Sequence, residues 1–87
     1  MKKKLALQLN QLILAGEIVS EVICYPGGRL VFTLQNERGC FFVQWTDPQW
    51  QPQRGDLVLV RGALFSVVTD HKPSAWIDAA EINSLME

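Results

Sequence analysis

Apolar and polar residues alternate along most of this chain, and the alternation predicts strands. Over residues 9–23, Leu12, Leu14, Gly16 and Ile18 share one parity, and Ile13, Ala15, Glu17, Val19 and Glu21 share the other. A period of two marks a half-buried strand, here long and bent at Gly16. Tyr25-Pro26-Gly27-Gly28 is a turn, with proline setting φ and glycine accepting positive φ. Residues 29–35 alternate again, with Leu30, Phe32 and Leu34 opposite Val31, Thr33 and Gln35. A turn at 36–39 leads to a third strand at 40–45. Residues 46–54, TDPQWQPQR, hold two prolines and no helical period, so they form a loop. The run GDLVLVRGAL at 55–64 is apolar on both faces, which places it at the centre of a barrel or between two layers. Gly62 inside it marks a bulge or bend, and the strand has room to run to Val68. A turn at 69–74 precedes the last strand at 75–82, where Trp76 and Asp78 face opposite Ile77 and Ala79.

Five strands and no helix predict an all-β chain, a five-stranded Greek-key barrel of the OB-fold type. An SH3-like barrel is the competing outline, and the long first strand with its glycine favours the OB-fold. Leu14, Ile18, Leu30, Phe32, Leu34, Val58, Val60 and Ile82 are the expected core.

Eighty-seven residues make one domain, 1–87, in which residues 1–8 are a basic arm carrying Lys2, Lys3 and Lys4. A domain this small buries only about 60% of its unfolded surface, so a second subunit would help it. A homodimer is expected, through the first strand or through the last strand and Trp76. The net charge of −1 lacks the basic balance typical of nucleic-acid binders. Two cysteines, Cys24 and Cys40, and one histidine, His71, are too few for a structural zinc site. The cysteines read as reduced thiols flanking apolar strands, in a cytoplasmic protein. The start imitates a signal peptide, but Gln8, Asn10 and Gln11 interrupt its apolar stretch, and no apolar run reaches membrane-spanning length.

Four segments resemble bacterial single-stranded DNA-binding proteins. Asn10-x-Leu12-x-Leu14-x-Gly16 is similar to their opening strand and Phe32-Thr33-Leu34 to their second. The run from Gly55 to Leu64 resembles the fourth, and Ala80-Glu81-Ile82-x-x-Leu85 the closing strand. The chain departs from that pattern in its short connections and in lacking a glycine-rich linker and acidic tail. In length and architecture it resembles the short, tail-less branch, primosomal replication protein N. That resemblance implies a homodimer of OB-folds acting in replication restart.

Binding single strands without sequence choice needs aromatic platforms and cations. The candidate platforms are Phe42, Trp45 and Trp50, with Tyr25 and Trp76 beside them; the candidate cations are Arg29, Arg38, Arg54, Arg61 and Lys72. Alternation puts Trp45 with Phe41 and Val43, facing the core, whereas the resemblance puts it where those proteins place a stacking ring. Trp50 reads as a contact residue or as a plug for the barrel end. Trp76 reads as core or subunit contact before it reads as a platform. The arginines are singly spaced, and Lys2–Lys4 reads as a solubilising arm before a phosphate contact.

No nucleophile–base pairing, paired carboxylates or phosphate-cradling glycine loop is present in the sequence, so an enzyme is not expected, nor a cofactor or metal. The expected function is sequence-independent binding of single-stranded DNA in replication or its restart, with replication-restart proteins as further partners. The alternative is an OB-fold interaction or assembly subunit that does not touch nucleic acid, which the net charge favours; RNA offers the same chemistry as DNA.

Overall fold

The computed structural model describes residues 11–86, so the basic arm and the leader-like start lie outside the described residues. The strands are β1 (Gln11–Ile18), β2 (Ile23–Cys24), β3 (Leu30–Asn36), β4 (Gly39–Trp45), β5 (Leu57–Thr69) and β6 (Lys72–Ser84). They form one sheet in the order β1-β5-β6-β4-β3-β2, and β1 also pairs with β3, which closes the ring. The two-residue β2 only lengthens the edge of β3. The other five strands are the expected OB-fold, with β4 and β6 parallel and the remaining pairs antiparallel. Among the described residues there is no helix, and so none long and apolar enough to cross a membrane.

Two glycines let the ring turn its corners. Just past Gly16, β1 begins to pair with β3 at Glu17↔Gln35 while still paired with β5 at Glu17↔Leu57, and a Cβ on Gly16 would stand 2.6 Å from the Gln35 carbonyl oxygen. Gly62 sits at the register shift between β5 and β6, where a Cβ would fall on the Asp78 carbonyl oxygen. The first strand ends earlier than its alternation predicts. Past Ile18 one backbone bond remains, from the Val19 N–H to the Thr33 carbonyl at 3.0 Å, and the Thr33 N–H then goes to a side chain, the Ser20 hydroxyl, at 2.8 Å. Val22 packs against the core, and ladder pairing with β3 resumes at Ile23↔Val31.

The core is Ile18, Leu30, Phe32, Leu34, Val43, Trp45, Val58, Val60, Ile77, Ala79 and Ile82. Leu14, expected among them, is half-buried and packs against it. Each fully buried side chain of this size stabilises the fold by about 1.5–3 kcal/mol. Of the two settings expected for β5, the barrel holds and the two-layer one does not. The strand's alternation of apolar residues does not place it between two layers, for Leu57 is 45% exposed. A small barrel has one interior, and among the described residues no second layer covers the outside. Both cysteines are likewise exposed and free rather than sunk in apolar surroundings.

The loop between β4 and β5 closes one end of the barrel. Pro52 is fully buried there, and the Trp50 indole N–H donates to the Ile82 carbonyl at 2.8 Å. At the other side, β5 and β6 run on together as an arm. Its tip is the two-residue turn Asp70-His71, with φ of 51° and 64°, the left-handed pair that a tight hairpin needs.

Candidate nucleic-acid interface

Strand register carries one row of side chains across the outside of the barrel. Thr33 lies opposite Phe42, Phe42 opposite Trp76, and Trp76 opposite Phe65. The result is three aromatic rings in sequence over β4, β6 and β5. Phe42 and Trp76 have ring centroids 5.1 Å apart at 33°, and Trp76 and Phe65 6.3 Å apart at 39°. Phe42 is 47% exposed, although a ring of its size is normally inside. Trp76 and Phe65 are half-buried, and Phe42 and Trp76 border a cleft lined also by Ser20, Glu21, Ile23 and Val31. A patch of this kind marks a surface built for contact.

The next row, two residues along each strand, is polar at its centre. Val31 pairs with Gln44, Gln44 with Asp78, and Asp78 with Ala63. Arg29 Nη1 donates to Gln44 Oε1 at 3.1 Å, and Gln44 Nε2 donates to Asp78 Oδ1 at 3.4 Å. The Arg29 guanidinium also lies 4.7 Å from the centre of the Tyr25 ring, a cation–π contact that holds it in place. Tyr25 itself is set by the turn, in which Gly28 N–H donates to the Tyr25 carbonyl and both glycines take positive φ.

The sequence candidates separate on this surface. Phe42 and Arg29 belong to it. Lys72 lies on the same face of β6 as Trp76, near the tip of the arm. Arg38 is exposed in the β3–β4 turn, where its backbone N–H is capped by the Asn36 side chain. Arg54 is paired with Glu21 at 3.5 Å, and Arg61 with Glu81 at 2.9 Å. Both pairs are exposed, so each contributes about 0–1 kcal/mol. Hydrogen bonds from Asn83 and Arg61, with the charge of Arg61, hold the Glu81 carboxyl below its ordinary value.

Two tryptophans need correction as platforms. Trp45 is only 2% exposed and faces inward, as its parity with Val43 requires. Its indole N–H finds no acceptor among the described residues. Trp50 meets the Trp45 ring edge-on, with centroids 6.2 Å apart, and its N–H is bound to Ile82, so it is a plug and not an open stacking face. Trp76, read first as a core or subunit contact, is not in the core but half-buried on the outer face. Phe65 was not singled out at all. Its signal was present, since continuing β5 past Leu64 puts Phe65 on the strand face opposite Leu64.

No protein-family model matches the sequence, and no curated protein matches it. Solved structures do match the fold. The mitochondrial single-stranded DNA-binding protein Rim1 of S. cerevisiae superposes with a TM-score of 0.71 at 17% identity, over 87% of this chain and 92% of that one. The N-terminal domain of PriB from Thermoanaerobacter tencongensis, described as dimeric, superposes with a TM-score of 0.65 at 13% identity, over 91% of this chain and 99% of that one. The expected resemblance to the single-stranded DNA-binding and primosomal proteins thus holds at the level of fold.

Proposed function

We propose that this protein binds single-stranded DNA by stacking bases on the row Phe42–Trp76–Phe65. The outer-face row, exposed at Phe42 and half-buried at Trp76 and Phe65, is the observation that carries the reading, because every base has a π-face and stacking accepts any of them. Arg29, Arg38 and Lys72 supply the positive charge for phosphates on a chain whose net charge is −1. The name of Rim1 as a single-stranded DNA-binding protein supports the same reading. A role in replication or its restart, in the cytoplasm, is the finer part of this proposal and rests on the sequence resemblance to primosomal replication protein N.

Quenching of tryptophan fluorescence by an oligo-dT titration tests it. Trp76→Ala and Phe42→Ala are each expected to cost about 1–3 kcal/mol of binding, with the salt slope nearly unchanged. Arg29→Ala is expected to flatten the dependence of log K on log salt by about 0.7. A titration that stays flat at low salt, read by anisotropy of a labelled oligonucleotide as well, would sink the proposal and favour the assembly-subunit alternative.

We infer further that the chain is a homodimer through the outer face of β1 and β5. Ile13, Leu57 and Leu85 are 63%, 45% and 53% exposed, and the register puts them on one face with Ala15 and Leu59, bordered by Glu17 and the Arg61–Glu81 pair. The dimeric description of the PriB domain supports this. Leu59→Glu is expected to convert a dimer into a monomer in sedimentation at micromolar concentration; a wild-type monomer under those conditions overturns the inference.

A further inference from the structure

The polar row beside the aromatics holds a carboxylate where a phosphate-binding surface would be expected to exclude one. Asp78 is exposed, two residues along β6 from Trp76, a separation of about 7 Å. Its position is not loose. Arg29 can only donate, so it fixes the Gln44 amide oxygen on its own side. The Gln44 amide nitrogen therefore points at Asp78, which can only accept. Tyr25, Arg29, Gln44 and Asp78 thus form an ordered chain running along the edge of the stacking row. Among the described residues no donor reaches the second carboxylate oxygen, Oδ2, of Asp78.

We propose that Asp78 makes this surface discriminate among the bases it stacks, favouring those that carry an exocyclic amino group over thymine. The inference rests on the single-strand-binding reading of the same face. A base lying over Phe42 and Trp76 turns one edge toward Gln44 and Asp78. The amino group of cytosine donates to a carboxylate, a recognised pairing of acidic side chains with that base. Thymine presents a carbonyl oxygen at the same place, which meets the carboxylate oxygen as acceptor against acceptor. The negative charge weakens phosphate binding for every sequence equally, so it biases the choice of base without adding to overall affinity. Stacking remains tolerant, and the result is a preference and not a code.

Two pyrimidine oligomers of equal length, dC and dT, isolate the edge contact, because their rings offer nearly the same stacking area. Wild type and Asp78→Asn are titrated with both at one salt concentration. Wild type is expected to bind dC more tightly than dT, and the variant is expected to reduce the dC/dT affinity ratio by about fivefold or more. A variant that binds both oligomers more tightly by the same factor, with the ratio unchanged, overturns the proposal and leaves Asp78 a simple repulsive charge. Failure of wild type to bind either oligomer overturns the single-strand reading itself, which is a distinguishable outcome.

Discussion

Trp45→Ala is expected to lower the unfolding free energy by about 3–5 kcal/mol, the range for emptying a large aromatic site in a core. Trp45 is among the largest side chains in the interior, and it lies against Leu30 across the β3–β4 ladder and against Ala79 on β6. It also supports Trp50, whose ring closes the barrel end. Domains of this size have only about 5–15 kcal/mol in total, and each kcal/mol moves the melting temperature by roughly 4–8 °C. The melting temperature should therefore fall by more than 10 °C, measured by circular dichroism. Trp45→Phe should cost less, because it keeps most of the ring and removes a buried N–H that has no acceptor among the described residues. A Trp45→Ala variant that melts normally yet loses oligonucleotide binding would return Trp45 to the surface.

Gly62→Ala carries the second large effect. One methyl group is small, but here it would be built onto the backbone of the facing strand at Asp78 and Ala79. A flexible side chain could step aside, whereas a backbone carbonyl in the middle of a ladder cannot. The β5–β6 pairing would have to open at its register shift, between Arg61↔Glu81 and Gly62↔Ala79. The expected loss is about 3 kcal/mol, at the upper end of overpacking costs, read from denaturant midpoints. An unchanged midpoint would mean that the bulge relaxes freely.

The barrel was legible because its strands are amphipathic with period two. Leu30, Phe32 and Leu34 face in and Val31 and Thr33 face out, as their alternation predicts. Gly62 announced the bulge for the same reason, being a residue without a side chain inside an apolar run. Ser20 gave no such signal, since a hydroxyl replacing a backbone acceptor depends on Thr33, which is distant in sequence. The site was less legible than the fold. For Trp45, alternation and family likeness disagreed, and the structure follows the alternation. The stacking row is assembled from Phe42, Trp76 and Phe65, whose adjacency depends on the parallel β4–β6 register and on the hairpin register, neither of which periodicity encodes. The fold of Trp50 back onto Ile82 likewise depends on a contact with no local pattern.

The pairing of β1 with β5 has a consequence in time. Leu14 meets Val60 and Leu12 meets Gly62, partners far downstream in the same chain. A ribosome delivers β1 first and β5 long afterwards, so the apolar side of β1 waits unpartnered while the β3–β4 hairpin, with its two-residue connection Glu37-Arg38, can already form. Distant pairings of this kind slow folding and lengthen the exposure of sticky segments. The newborn chain is thus most vulnerable to aggregation during synthesis, and the last strand to emerge, β6, is the one that joins β5 to β4 and lets the waiting end be enclosed.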